Sequence, residues 1–153
     1  MPAAEKNHLL VIEDNPADVG LLRRALAGAK LDFELTVIND GAEALALLQP
    51  GTGTPAPDLA IVDLNLPKHG GLEVIERMRA NPKFHEVPVV ILTSSSAPRD
   101  RSSLDKFRIT KYIVKPADLE EFMRIGFEIR EVLEARRSRS CSSSALESTA
   151  SPG

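Results

Sequence analysis

Aromatic residues make up only 4% of this 153-residue chain, with five Phe, one Tyr and no Trp. That scarcity argues against a surface built to stack bases or a flat cofactor. A single cysteine, Cys141, leaves no internal disulfide to form, which suits a reducing cytoplasm. No apolar run approaches the roughly 20 residues that span a bilayer. The N-terminal MPAAEKNHLLVIEDNP lacks the apolar stretch and cleavage site of a secretory signal. Neither a membrane span nor export is therefore expected. What the chain does have is an ordinary apolar content of 42%, enough for one domain with a real core. Its net charge of −3 is unevenly spread, because residues 135–153 hold three Arg against Glu147. Residues 1–134 keep 16 basic against 21 acidic side chains, a poor electrostatic footprint for nucleic acid. The RRSR cluster at 136–139 reads as a solvated helix end.

Strands and helices alternate along the chain. HLLVIE (8–13), with Leu9 to Ile12 apolar, reads as a buried strand, closed by Asn15-Pro16, a cap with Pro in the first helical turn. Val19, Leu22, Leu26 and Ala29 recur at helical spacing over about 16–29. FELTVI (33–38) alternates and suits an edge strand. DGAEALALL (40–48) is a capped helix, and 49–57 is a Pro/Gly/Thr-rich loop. LAIV (59–62) and VPVVILT (87–93) are strands buried on both faces, with a helix at 71–80 between them. Residues 94–107 are polar and weakly helical. KYIVKP (111–116) supplies a fifth strand, a long helix fills 117–137, and the Ser-rich 138–153 is expected to be a disordered tail. Five strands and five helices in alternation predict an α/β fold with a parallel sheet covered on both faces.

In such sheets, ligands sit beyond the carboxyl ends of the strands. The residues found there are Glu13-Asp14 after the first strand, Asp63 after the third, Thr93-Ser94 after the fourth and Lys115-Pro116 after the fifth. If the first and third strands are neighbours, three carboxylates converge, and like charges that close repel unless a cation joins them. Carboxylates, a carbonyl and waters are hard oxygen donors that suit Mg²⁺. A carboxylate beside a metal, a hydroxyl and an ammonium is a site for phosphoryl transfer, with the carboxylate as nucleophile. Asp63 fits that role best, because its strand lies between the acid pair and the Thr93/Lys115 side.

On VIEDNPAD, DGAEAL, IVDLNLPKHGGLEV, VVILTSSS and YIVKPAD, the sequence closely resembles the response-regulator receiver domain of two-component signalling. The likeness runs from residue 7 to about 135. It implies a flavodoxin-like (βα)5 three-layer sandwich with strand order 2-1-3-4-5, an order that comes with the resemblance and not from spacing. It also implies Asp63 as phosphoacceptor, Asp14 as a direct Mg²⁺ ligand, Asn65 ligating through its backbone carbonyl and Glu13 acting through water. Thr93 and Tyr112 match the switch pair, and Lys115 the phosphate lysine before a cis Pro116. Lys111 stands where relatives usually carry a small residue, and Ser94 where many carry Ala. The KF…VPVVILTSS and VKPADLEEFM phrasing looks like the small regulators that partner phytochrome histidine kinases.

The expectation is thus a stand-alone cytoplasmic receiver, residues 1–137, phosphorylated by a sensor histidine kinase. It would catalyse only its own phosphorylation and dephosphorylation. Chemotaxis-type output, a phosphorelay intermediate and a non-phosphorylated interaction module are the alternatives. A flavin carrier would need a phosphate loop and aromatics in place of Glu-Asp-Asn-Pro. A phosphohydrolase would want a second acid at position 65, which is Asn. In the final helix, Leu119, Phe122, Met123, Ile125, Gly126, Phe127, Ile129, Val132 and Leu133 occupy an arc of about 220°, wider than the ≳100° stripe that covers one core. The surplus, around Ile125 and Val132 or around Phe127, predicts a homodimer through this helix and the fifth strand.

Overall fold

The computed structural model describes residues 6–66, 70–94, 102 and 104–150, with side chains described to residue 137. Five strands form one parallel sheet: β1 (Asn7–Ile12), β2 (Phe33–Ile38), β3 (Leu59–Val62), β4 (Val89–Thr93) and β5 (Lys111–Val114), in the order β2-β1-β3-β4-β5. This is the expected order. The two central strands, β1 and β3, pair in register from Leu9 with Leu59 to Ile12 with Val62, and both are apolar enough to be buried on each face.

The helices are α1 (Pro16–Gly28), α2 (Gly41–Leu47), α3 (Gly71–Ala80) and α4 (Leu119–Ala150). They cover the sheet in two layers. On one face α2 and α3 pack Ala44, Val74, Ile75 and Met78 against Leu10, Ile12, Ala60, Val62, Val89 and Ile91. On the other, α1 and α4 bring Leu22, Leu26, Phe122, Ile125, Ile129 and Leu133 against Leu9, Val11, Ile61, Val90 and Leu92. Helix starts follow the expected chemistry. Asn15 Oδ1 accepts from the Ala17 N–H at 2.9 Å, and Asp40 Oδ1 from the Glu43 N–H at 2.7 Å.

Several expectations are corrected. β4 begins at Val89, since Pro88 has no N–H to give a ladder. The weakly helical reading of 94–107 agrees with what is described there, since Ser102 and Leu104 are helical and a 3₁₀ turn follows at Asp105–Phe107, while most of the remainder lies outside the described residues. Where disorder was expected from residue 138, the helical backbone of α4 continues to Ala150. Extending a helix already nucleated and packed costs far less than starting one. Arg136 and Arg137 are also not merely solvated. Arg136 Nη1 donates to the Asp58 carbonyl at 2.7 Å, and Arg137 Nη2 to Asn7 Oδ1 at 2.8 Å. Ile125 turns inward and is buried, and Val132 is half-buried, so the surplus on α4 is Phe127 (51% exposed) with Leu119 (53%).

The contact of α1 with α4 depends on Gly126, where a Cβ would fall on the Ala25 carbonyl, a backbone atom that cannot rotate away. Gly126→Ala should therefore destabilise the chain by about 1–3 kcal/mol despite Ala's better helix propensity. Gly20 of α1 has nothing within 4 Å of its notional Cβ. Gly20→Ala should stabilise by about 0.5–1 kcal/mol. Urea unfolding of the two variants beside the parent checks the contrast, and equal effects would contradict the packing.

Candidate functional site

The carboxyl ends of β1 and β3 deliver the acids, and backbone hydrogen bonds hold them there. The Glu13 N–H donates to the Ile38 carbonyl at 3.0 Å and the Asp63 N–H to the Ile12 carbonyl at 3.0 Å, so each acid sits one residue beyond its strand as an extension of the ladder. Glu13 and Asp63 are 5% and 4% exposed, whereas Asp14 is exposed. One carboxylate oxygen from each of the three lies within 4.8 Å of the others. This is a hard-oxygen donor set of the kind that holds a divalent cation, and it carries the negative charge to attract one.

Lys115 faces the acids from β5. Its N–H donates to the Thr93 carbonyl at 2.7 Å, which ties the loop after β5 to the end of β4. Its Nζ lies 2.9 Å from Asp63 Oδ2, 2.8 Å from Glu13 Oε1 and 2.7 Å from Asp18 Oδ2. Asp63 Oδ1 accepts from the Asn65 N–H at 2.9 Å, so both oxygens of this carboxylate are held. Thr93 ends β4 fully buried, and its Oγ1 accepts from Asn65 Nδ2 at 3.2 Å. Gly71 lets α3 start against this loop, because a Cβ there would strike the Asp63 carbonyl and Leu64 Cα.

Thus the structure brings Glu13, Asp14, Asp63, Asn65, Thr93 and Lys115 to one rim. Tyr112 is half-buried on β5, paired with Ile91 two residues before the Thr93–Val114 pair, and packs against the α2/α3 side of the core. The cis bond expected before Pro116 is not found: no cis peptide occurs among the described residues. Trans is the lower-energy isomer of an X–Pro bond unless tertiary contacts override it, and Lys115 reaches the acids in the trans form. Asp18 was missed by sequence reasoning. An acid three residues after a cap reads as an ordinary complement to the helix dipole, and only the fold shows that it meets Lys115.

Burial pushes the Glu13 carboxyl up from 4.5 to about 7; the hydrogen bond from Lys115 opposes this and the nearby Asp63 charge adds to it. Burial alone would lower the Lys115 ammonium, but its hydrogen bonds to Asp18, Glu13 and Asp63 outweigh that, and it lies above the ordinary lysine value. The sign for stability follows. Between pH 4.5 and about 7 the folded chain keeps a proton on Glu13 that the unfolded chain has released, so this group's contribution falls as pH rises. The Lys115 contribution is fully present across that window and is lost only at higher pH, beyond 10.5. In EDTA, the stability of the parent relative to Glu13→Gln should decrease from pH 5 to pH 8, measured by thermal melts. A flat or rising difference would reverse the direction assigned to Glu13.

Residues 9–125 match the family model described as the response regulator receiver domain. Response regulator Rcp1 of Synechocystis is 33% identical over 120 residues, covering 76% of this chain and 82% of Rcp1. The crystal structure of the Mn(2+)-bound form of Rcp1 aligns with a TM-score of 0.72 at 32% identity, over 80% of this chain and 91% of that one. The structure of the phosphorylated cyanobacterial phytochrome response regulator RcpA aligns with a TM-score of 0.77 at 32% identity, over 86% and 96%. With the sheet order, the acid cluster and these likenesses in agreement, the chain belongs to the response regulator receiver domain family.

Proposed function

We propose that this chain is a single-domain response regulator that accepts a phosphoryl group on Asp63 from a sensor histidine kinase, of phytochrome type. The observation that carries the reading is the Asp63 carboxylate itself, 4% exposed, with Lys115 Nζ at 2.9 Å and Glu13 and Asp14 within metal-sharing distance. The phytochrome pairing draws its support from Rcp1 and RcpA. The receiver is assigned to residues 1–137, up to the Arg137 contact with Asn7, and the Ser-rich 138–153 segment is left outside it.

An Asp63 oxygen attacks the phosphorus of a phosphohistidine. The P–N bond breaks, and its electron pair goes to the imidazole nitrogen, which takes up a proton. Asp14, Asp63 and the Asn65 carbonyl would hold the metal directly in this reading, and Glu13 would act through water. Mg²⁺ bound there supplies positive charge to the phosphoryl oxygens. Lys115 adds its ammonium on the opposite side, and the Thr93 hydroxyl donates to a phosphoryl oxygen. Thr93, whose Oγ1 accepts from Asn65 Nδ2, and Tyr112 on β5 are the switch pair in this reading. The chain is not an enzyme toward free substrates, since it turns over only its own acyl phosphate.

Two predictions follow from this reading. Incubation with acetyl phosphate and Mg²⁺ should add the mass of one phosphoryl group, lost at alkaline pH. EDTA or Asp63→Asn should abolish the gain, and label retained in that variant would move the acceptor elsewhere. The second concerns output. Phe127 and Leu119 on α4, with Val114 on β5, leave apolar surface in water beside the edge strand, and a two-fold pairing of copies would cover it. Light scattering at micromolar concentration should give twice the monomer mass, shifted toward monomer by Phe127→Asp. A monomer with and without acetyl phosphate would redirect this surface to the kinase.

A further inference from the structure

Lys115 has three ammonium protons and no acceptor, and three carboxylates take them: Asp18 at 2.7 Å, Glu13 at 2.8 Å and Asp63 at 2.9 Å. Glu13 and Asp63 belong to the acid cluster able to hold a cation; Asp18 does not. Asp18 stands in the first turn of α1, three residues past the Asn15 cap, where the helix dipole favours its charge. The Asp18 and Lys115 side chains are 21% and 13% exposed, so the pair is largely withdrawn from water, where charge-assisted hydrogen bonds are strong.

The consequence comes from counting acceptors. A cation at the acid cluster draws on the Glu13 and Asp63 carboxylates that the ammonium also uses. Phosphorylation then converts the Asp63 carboxylate into a mixed anhydride, so the ammonium must pass from a carboxylate oxygen to the arriving phosphoryl oxygens. Among the described residues, the remaining carboxylate on Lys115 is Asp18, which neither event touches. We propose that Asp18 is a positioning residue, holding the Lys115 ammonium beside Asp63 while the other two carboxylates turn to the metal and the phosphoryl group. The inference rests on the reading of Asp63 as phosphoacceptor. Without Asp18, a long flexible side chain regains rotamer freedom in the interval when the metal has drawn off its other carboxylates and the phosphoryl oxygens have yet to arrive. The charge developing on the phosphoryl oxygens then loses a donor already in place.

Two measurements test this, with Asp18→Asn keeping the shape and removing the charge. In ¹⁵N-labelled protein the Lys115 ammonium cross-peak should be visible without metal and should persist when Mg²⁺ is added. In Asp18→Asn it should vanish on adding Mg²⁺; persistence there would overturn the proposal. In the second measurement, the rate of phosphorylation by acetyl phosphate, read by intact mass, should fall about threefold to tenfold in Asp18→Asn. In a Lys115→Ala background the same substitution should change the rate less than about twofold, because coupled residues are not additive. An equal loss in both backgrounds would make Asp18 a merely structural charge. Should Lys115→Ala take up no phosphoryl group, the NMR measurement decides alone. A parent protein that gains no phosphoryl mass would refute the phosphoacceptor reading itself. A parent that is phosphorylated, with Asp18→Asn indistinguishable from it, would refute only the role of Asp18.

Discussion

Four carboxylates crowd a single ammonium at the carboxyl edge of this sheet, and the site is organised around that imbalance. Glu13, Asp18 and Asp63 all bond to Lys115, while Asp14 stands beside them with its charge toward solvent. Taking a carboxylate out of water costs several kcal/mol unless something compensates. Here the compensation is shared: one lysine serves three acids, and Glu13 yields by holding its proton up to about pH 7. A set of acids left so short of positive charge is predisposed to take a divalent cation.

The sheet makes this crowding possible. Parallel pairing of β1 with β3 sets Ile12 opposite Val62, so the residues that follow, Glu13 and Asp63, are forced side by side. Neither can retreat, because each is hydrogen-bonded through its own N–H to the neighbouring strand. Gly71 adds a further restraint, since α3 can begin this near the Asp63 backbone only where no side chain intervenes. The chemistry is thus held by main-chain geometry, and the side chains are left with short reaches to make.

Much of this was legible in the sequence because burial writes a plain pattern. Runs such as LAIV and VVILT have no polar alternation, and the residue that ends each run is the one offered to the rim. Asn15 and Asp40 announced their helices in the same way. What stayed hidden depends on contacts between distant segments. Asp18 and Lys115 lie 97 residues apart, and nothing local to either foretells their meeting. The inward turn of Ile125 was equally unreadable, because the 220° apolar arc of the last helix does not say which part meets α1; the close approach at Gly126 decides it. RRSR misled for a related reason, since charged side chains look solvated until a carbonyl such as that of Asp58 comes within reach.

Those two arginines fasten a long rod near the middle of its length. Arg136 and Arg137 fasten α4 to Asp58 and Asn7, at the edge of the sheet farthest from the acids, while the start of the helix at Leu119 follows within a few residues of Lys115. Between that anchor and Leu119 the rod is held twice more, where Gly126 meets the Ala25 backbone and where Arg130 Nη1 donates to the Ala29 carbonyl at 3.0 Å. Pinned at several points along one side, α4 splints the sheet from its acid-bearing edge to the opposite one.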